Sequence, residues 1–196
     1  ETLIKDPGVK AEVQYRLANL LMRRGQQEAT DRVSEQQHQA AAMVAYQTLL
    51  HDYPEHPNND QVLYQLARSY DLQGDQSAAL ALMDQLVTQY PSSNYYLESQ
   101  FRRGEIYFSY GEYEHAEHAF AAVMKGGKGS SFYSTATSMH GWSLFKREAF
   151  DASLKSFIAA LDHMMPSGIE YADLPVSSQT VIDDQLRVMG FALSYM

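Results

Sequence analysis

Cysteine is absent from the 196-residue chain, tryptophan occurs once and proline only six times. Without cysteine the protein has no disulfide, no thiolate nucleophile and no Cys-ligated zinc site, in a reducing or an oxidising compartment alike. Positive charge is also scarce, because 15 Lys and Arg residues stand against 24 Asp and Glu residues, a formal net charge of −9. That charge repels phosphate groups, so we expect neither nucleic acid nor an acidic membrane surface as a partner.

Long apolar runs are lacking too, and none approaches the roughly 18 residues that a membrane-spanning helix needs. We therefore expect no direct membrane insertion. Hydrophobic residues make up 45% of the chain and charged residues 20%, close to the averages of globular domains. A folded domain of this size buries about 70% of the surface that its unfolded chain exposes. The composition thus predicts a folded domain that needs no covalent cross-link.

The strongest positive signal is an internal repeat of 37 residues. A shift of 37 superposes the segments 64–70, 101–107 and 138–144. Each segment has a small residue at the same place: Ala67, Gly104 and Gly141. Around that residue, apolar side chains at i, i+3, i+4 and i+7 predict a short helix, and a second amphipathic helix follows in each unit. Because neither helix buries its apolar stripe alone, neighbouring units are expected to stack.

The spacing of these residues resembles the tetratricopeptide repeat. The second unit carries the whole pattern: Ala67, Tyr70, Gly74, Ala79, Met83 and Pro91. The third unit has Lys128 where proline is expected, and the fourth has Glu148 in place of the turn glycine. The resemblance implies an all-α fold, a right-handed superhelical stack of antiparallel helix hairpins with about four repeats plus a terminal helix. The family period is 34, so each connector here is three residues longer.

The expected division of the chain follows from the repeat. We expect one tetratricopeptide-like domain at 1–196, with units at about 7–56, 57–93, 94–130 and 131–166 and a terminal helix at about 177–196. The first unit contains twelve additional residues near 26–38. This segment has good helix formers and no proline, so we interpret it as a lengthened hairpin.

Helix ends give further expectations. Asp6 and Pro7 are expected to open the first long helix, and Ser177 or Ser178 to cap the terminal one. Residues 1–5 are interpreted as the tail of an earlier helix, and the last residues as an apolar stretch without a partner helix. The chain is therefore interpreted as a fragment of a longer repeat protein.

In such a stack the resemblance implies that the first helices line a concave face. Positions −3, +1 and +4 from the small residue point into it, and a groove of aromatic residues and mixed charges suits a peptide or a helix. The predicted partner-binding residues are Tyr15, Asn19, Tyr64, Arg68, Phe101, Glu105, Phe108, Trp142, Phe145 and Arg187. An alternative is that most of these aromatic side chains only pack between repeats. Trp142 and Phe108 are the sharper candidates, because aromatics there are less routine in the family.

Some family members hold a C-terminal carboxylate with lysine and asparagine side chains on this face. Here Asn19 matches, but Tyr15 and Glu98 stand at two of the lysine positions. The resemblance therefore does not extend to a receptor for such carboxylate tails.

Other chemistry finds little support in the sequence. His115 and His118 have an i, i+3 spacing that allows a metal site, but they are interpreted as surface residues beside the repeat core. The glycine-rich segment 125–131 lacks the pattern of a phosphate loop and is interpreted as a connector. His51 and His56 flank a turn without a serine nucleophile. We predict no enzymatic activity, no metal and no cofactor.

The function favoured by these observations is a non-enzymatic protein-protein interaction scaffold that binds a partner segment in its concave groove. The alternative is a structural spacer or self-association segment of a bacterial envelope assembly. The connector at 90–96 and the longer period resemble repeat domains of bacterial cell-envelope proteins. That resemblance implies a periplasmic or outer-membrane-associated location in a bacterium, while a cytoplasmic location stays open.

Overall fold

A computed structural model describes residues 6–27, 32–165 and 168–195, and these residues contain helices and no strand. The α helices are α1 Pro7–Gln27, α2 Arg32–Asp52, α3 Asn59–Leu72, α4 Gln76–Gln89, α5 Tyr96–Ser109, α6 Tyr113–Lys125, α7 Tyr133–Lys146, α8 Phe150–Met164 and α9 Val176–Ser194. One 3₁₀ turn, Tyr171–Asp173, precedes α9. The predicted all-α fold is confirmed. Within the described residues, no helix has both the length and the apolar composition needed to cross a membrane.

The chain forms two compact units, each larger than a single repeat: the first unit comprises residues 1–95 and the second unit residues 96–196. In the first unit α1 packs against α2 and α3 against α4; in the second, α5 packs against α6 and α7 against α8. Three-residue connectors join α3 to α4, α5 to α6 and α7 to α8, so each of these pairs is an antiparallel hairpin. Helix α9 packs on α8. The predicted boundaries of the four repeats stay a prediction.

The first pair is the longest. Helices α1 and α2 have 21 residues each, whereas the helices of the later pairs have 13 to 15. The extra residues lengthen both helices, as the sequence predicts for this hairpin, although residues 28–31 lie outside the described part. The predicted cap at Asp6 is confirmed, since its Oδ1 accepts a hydrogen bond from the Gly8 amide at 2.8 Å. The interpretation of residues 1–5 also lies outside the described residues.

The short connectors share one turn. In each, a residue of positive φ follows the first helix: Gly74 (φ 82°), Gly111 (φ 77°) and Glu148 (φ 61°). The amide of the next residue then donates to a carbonyl five positions back, as from Asp75 to Tyr70 at 2.9 Å. Glutamate at the third turn therefore adopts a backbone conformation that favours glycine.

The small residue of the repeat marks a close contact between the helices of a hairpin. A Cβ atom added to Gly104 would lie 2.5 Å from Cε1 of Phe120, and one added to Gly141 would lie 2.8 Å from Cδ1 of Phe157. Both rings are fully buried. The side chain of the second helix thus occupies the space that a side chain of the first would need, which explains why the small residue recurs.

The start of α9 differs from the prediction. The helix begins at Val176 after Pro175, and neither Ser177 nor Ser178 caps it with a side-chain hydrogen bond. The predicted serine cap is therefore wrong. Pro175 adopts an extended conformation (φ −55°, ψ 143°), and its carbonyl accepts the Ser178 amide at 2.9 Å, so both serines lie inside the first turn.

Candidate protein-interaction site

The second unit contains an open pocket between α7 and α9, with a volume of about 430 Å³. Its walls come from α7, from the end of α8 and from the first half of α9. The lining residues are Ser134, Thr135, Ser138, Met139, Trp142, Met164, Ser177, Ser178, Val181 and Asp184. Pockets of this size accept a few side chains or a small ligand.

Trp142 is the central aromatic residue of this pocket. Its half-buried indole makes edge-to-face contacts with Phe157, at 5.7 Å between ring centroids, and with Phe145, at 6.1 Å. These contacts hold the ring in place while part of its surface stays accessible. A pre-ordered aromatic surface of this kind loses little conformational entropy on binding.

The register of α7 is held by its hairpin partner α8. Phe157 packs against Gly141, and the Ser153 hydroxyl donates a hydrogen bond to the Gly141 carbonyl at 2.8 Å. Both Ser153 and Phe157 are fully buried. The backbone that carries Trp142 is therefore anchored one residue away from the site.

The position of α9 depends on a buried polar contact with α7. Gln185, only 1% exposed, donates from Nε2 to the Ser138 hydroxyl at 2.7 Å. The Ser138 hydroxyl in turn donates to the Ser134 carbonyl at 3.1 Å. Since a buried amide that loses its partner is costly, this contact fixes where α9 lies against α7.

The side chains that line the pocket are partly apolar and partly polar. Met139, Met164 and Val181 supply flexible or aliphatic surface beside Trp142, and serine and threonine hydroxyls supply hydrogen-bonding groups. Asp184 contributes a carboxylate to the lining, and this carboxylate pairs with Arg187. An apolar side chain beside a polar or basic group matches this arrangement.

The other predicted residues of the second unit lie elsewhere. Phe145 packs on Phe150 with 5.6 Å between centroids, and Arg187 is exposed outside the pocket. Phe101 contacts the rings of Phe120 and Phe132 at 5.9 and 5.2 Å, and Phe108 meets Tyr113 at 5.2 Å.

Glu105 is exposed on α5. The ring contacts are those expected of packing, the alternative that the sequence left open; partner binding at these five positions stays a prediction.

In the first unit, Tyr64 is nearly buried and stacks on Tyr95 with 4.4 Å between ring centroids. The Arg68 guanidinium lies over the Tyr64 ring, 5.8 Å from the centroid of that ring. Burial is the larger cause that raises the pKa of Tyr95, and the Asp60 carboxylate adds to it. The side chains of Tyr64, Tyr95 and Arg68 therefore form one cluster.

The two predicted residues on α1 take part in hydrogen bonds. The Tyr15 hydroxyl donates to Oε1 of Gln61 at 2.6 Å, and Oδ1 of Asn19 accepts from the Tyr46 hydroxyl at 2.8 Å. Burial raises the pKa of Tyr46, so its hydroxyl remains a donor even in the alkaline range where an exposed tyrosine ionises. A role of Tyr15 and Asn19 in partner binding stays a prediction.

Metal chemistry has no cluster to support it in the described part of the chain, where no group of three or more His, Asp or Glu residues is placed to hold an ion. Nδ1 of His115 lies 3.5 Å from the Glu112 carboxylate, the imidazole stacks on Tyr107, and the His115 and Glu112 side chains are both exposed. The glycine-rich segment 125–131, which was predicted to be a connector and not a phosphate loop, forms a turn in which Gly127 has a φ of 94°.

Trp142, predicted from the sequence as a partner-binding residue, lines this pocket, whereas most of the other lining residues were not among those predicted. Val181 and Asp184 precede Gly190 by nine and six residues, and Ser134 and Thr135 precede Gly141 by seven and six. These four residues do not lie at positions −3, +1 or +4 from the small residue, where the partner-binding residues were predicted. The serine- and threonine-rich segment 134–138 was the available signal, because hydroxyl groups are unusual on the apolar side of a short helix.

Comparison with known proteins bears on the fold. The family model described as tetratricopeptide repeat matches residues 61–93. No curated protein sequence matches the chain. A kinesin light chain-like protein of Podosopora anserina with TPR-like repeats superposes with a TM-score of 0.63 at 14% identity, covering 97% of this chain and 92% of that one.

Two further solved structures have similar folds. MamA from Desulfovibrio magneticus RS-1 gives a TM-score of 0.57 at 16% identity, covering 94% of this chain and 96% of that one. BtubC from P. vanneervenii gives 0.58 at 12% identity, covering 95% and 85%. At these identities the likeness concerns the fold alone.

The matched repeat at residues 61–93 falls within the second of the repeats predicted from the sequence, at about 57–93. A fold of this kind supports a role as a protein-protein interaction scaffold, and such repeat proteins are generally non-catalytic. Residues 61–93 therefore match a tetratricopeptide repeat, and the fold of the chain is similar to that of proteins with TPR-like repeats.

Proposed function

We propose that the chain is a non-catalytic scaffold that holds a short segment of a partner protein in the pocket between α7 and α9. The observation that carries the proposal is the half-buried indole of Trp142, which lines an open pocket together with the apolar side chains of Met139, Met164 and Val181. Tryptophan is among the residues that contribute most to binding energy at protein interfaces.

The proposed ligand is a segment with an apolar anchor next to a basic residue. The anchor fits the space between Trp142, Met139 and Val181, and the basic group comes near the Asp184 carboxylate. The formal charge of −9 on the chain supports a basic segment, because the field speeds its encounter. A bacterial cell-envelope location is a further part of the proposal, supported by the resemblance of the connector at 90–96.

Trp142 also provides the measurement, since it is the only tryptophan in the chain. Peptides selected from a random library on the wild-type protein should change the Trp142 fluorescence in a saturable titration. Fluorescence anisotropy of the labelled peptide then gives the affinity of variants. We expect Trp142→Ala to weaken binding by about tenfold or more, the loss of a typical interface anchor, and Asp184→Asn to weaken it less and to reduce its salt dependence.

Tyr110→Ala is the matched control, because Tyr110 is an exposed aromatic residue of the same unit that does not line the pocket. Circular dichroism should give the same helicity for all variants. Equal affinity for Trp142→Ala and wild type, with both folded, would place the ligand elsewhere and contradict the proposal.

A further inference from the structure

A groove runs along the first unit where the α1–α2 hairpin packs against the α3–α4 hairpin. It consists of two chambers that share Leu50 and Gln85. The apolar chamber has a volume of about 490 Å³, and its lining includes Leu50, Leu66, Tyr70, Ala81 and Leu82. The polar chamber has a volume of about 430 Å³, and its lining includes Glu55, Asn59, Gln89 and Tyr90. We call the two chambers together the α2–α4 groove, after the helices that supply much of the lining.

The apolar chamber is lined by side chains that the fold already holds in place. Leu66 of α3 is almost fully buried, whereas Leu50 of α2 and Leu82 of α4 are half-buried. The Gln47 side chain donates a hydrogen bond from Nε2 to the Tyr70 hydroxyl at 2.7 Å, which restrains the Tyr70 ring and joins α2 to α3. An apolar side chain that enters this chamber therefore meets an ordered surface and loses water from both sides of the contact.

The polar chamber contains hydrogen-bond acceptors. The Asn59 side chain, only 1% exposed, donates from Nδ2 to the carbonyls of Tyr53 and Pro54, both at 2.9 Å. These two bonds fix the orientation of the amide, and the buried Oδ1 of Asn59 has no hydrogen-bond partner within the described residues. The exposed Glu55 adds a carboxylate to the same chamber. The chamber therefore suits a hydrogen-bond donor, and a cation best of all.

The charge of the surrounding chain also favours a cation. Residues 47–90 supply the whole lining of the groove, and they contain six Asp and Glu residues, no lysine and a single arginine, Arg68. Arg68 does not line the groove, and its guanidinium lies over the Tyr64 ring. The electrostatic field near the groove thus attracts a basic segment and repels an acidic one.

We propose that the α2–α4 groove is a second peptide-binding site, which takes a lysine side chain in its polar chamber and an apolar side chain in its apolar chamber. Leu82 and Gln89 mark the two chambers on α4 and lie seven residues apart, about 10 Å along the helix axis. An extended peptide covers that distance with about three residues. The bound segment therefore has a lysine and a leucine-like residue about three positions apart. The lysine ammonium carries three donors, enough for Oδ1 of Asn59 and the Glu55 carboxylate together.

This site is separate from the pocket between α7 and α9. The groove is built by the first unit, whereas Trp142 and the pocket that it lines belong to the second unit. Trp142→Ala should therefore leave binding in the groove unchanged. Failure of the groove proposal and failure of the proposed function are distinguishable results.

Amide NMR spectra of the isotope-labelled chain test the proposal with a synthetic peptide of defined sequence. The probe is a capped peptide, Gly-Lys-Ala-Ala-Leu-Gly, and NMR detects even weak binding of it. We expect saturable shifts of the amides of α2 and α4 that flank the groove. Replacing the lysine of the peptide by glutamine, or its leucine by glycine, should weaken binding by about fivefold or more, the loss of a charge-assisted hydrogen bond or of a buried aliphatic side chain.

Two variants of the protein each change one chamber. Glu55→Gln removes the carboxylate of the polar chamber and should weaken binding by about fivefold. Ala81 is exposed, so Ala81→Arg fills the apolar chamber without disturbing the core and should weaken binding by about tenfold or more. Asp52→Asn and Ala41→Arg are the matched controls, because they make the same changes at exposed residues that do not line the groove.

Several results would overturn the proposal. One is the absence of a saturable shift at the highest soluble peptide concentration, and another is a set of shifts that lies outside the groove. Unchanged affinity in Ala81→Arg, with native helicity by circular dichroism, is a third; if that variant does not fold, Glu55→Gln and the peptide variants decide. Cadaverine provides the last check, because it offers an ammonium group without an apolar side chain. If cadaverine binds as tightly as the peptide, the groove takes a small amine and not a protein segment.

Discussion

Gly104 and Gly190 hold the same place in the repeat but have opposite surroundings. Phe120 of α6 fills the space beside Gly104, whereas a Cβ atom added to Gly190 would meet no other side chain of the described residues within 4 Å. The helical backbone is the same at both positions, since each lies inside an α helix. The demand for a small residue therefore comes from the facing helix and not from the backbone of the helix that carries it.

Substitution by leucine should change the free energy of unfolding in opposite directions at Gly104 and Gly190, and this is the largest effect that we expect. Gly104→Leu forces Phe120 and its neighbours apart and should lower the free energy of unfolding by about 3 kcal/mol. Gly190→Leu removes a glycine from an exposed helix position and should raise it by up to about 1 kcal/mol in the monomer. Urea denaturation at low protein concentration measures both. Equal losses at the two sites would contradict the assigned register.

The buried amide of Gln185 lies on the side of α9 that α7 covers, whereas Gly190 lies on an exposed side of the same helix. Ser138→Ala removes the acceptor for Gln185 Nε2 and should destabilise the second unit by about 1–3 kcal/mol. The double variant with Gln185→Leu should recover part of that loss, since no buried donor then lacks a partner. Hydrogen exchange of the α9 amides reports the local effect; unchanged exchange in Ser138→Ala would argue against this contact as the anchor.

The turns of the last two hairpins provide a smaller contrast. Gly111 and Glu148 both have positive φ, which glycine adopts without strain and glutamate does not. Glu148→Gly should therefore stabilise the protein by about 0.5–1 kcal/mol, and Gly111→Glu should destabilise it by about 1 kcal/mol. Thermal denaturation of the two variants checks the signs. A loss of stability in Glu148→Gly would mean that its side chain contributes more than the turn costs.

The smallest effect concerns pH. Burial lowers the pKa of His140 below its usual range, against the opposing effect of the Glu117 carboxylate. The unfolded chain therefore takes up the proton more readily, so the contribution of His140 is constant above about pH 7 and stability falls as the pH drops below about 6.5. His140→Gln keeps a polar group near the Ser156 hydroxyl, 2.9 Å from the imidazole Nδ1, and should remove part of this fall. If the stability of the variant and the wild type depended on pH in the same way, His140 would not be the cause of the fall in stability at low pH.

Much of the fold follows from the sequence for physical reasons visible in single residues. The 37-residue register predicts the helix pairs, the small residues and the glycine turns, since each answers to a local constraint such as the Phe120 ring or a positive φ. The start of α9 was predicted wrongly because Pro175 takes the capping position, so that the serines lie in the first turn.

The pocket was only partly predictable. The candidacy of Trp142 as a binding residue follows from the register, but Val181 and Asp184 enter the wall through the placement of α9 against α7. That placement depends on Gln185 and Ser138, 47 residues apart, on either side of a segment without repeat spacing. No periodic signal links these two residues, so their contact was not visible in the sequence.

A double-mutant cycle at Gly104 and Phe120 tests the central claim most directly, that the small residue of each first helix exists to receive a side chain of the second. Gly104→Ala and Phe120→Leu should each destabilise the protein, and the double variant should lose about 1–2 kcal/mol less than the sum of the two, because the smaller side chain makes room for the new methyl group. Strictly additive losses would contradict the claim.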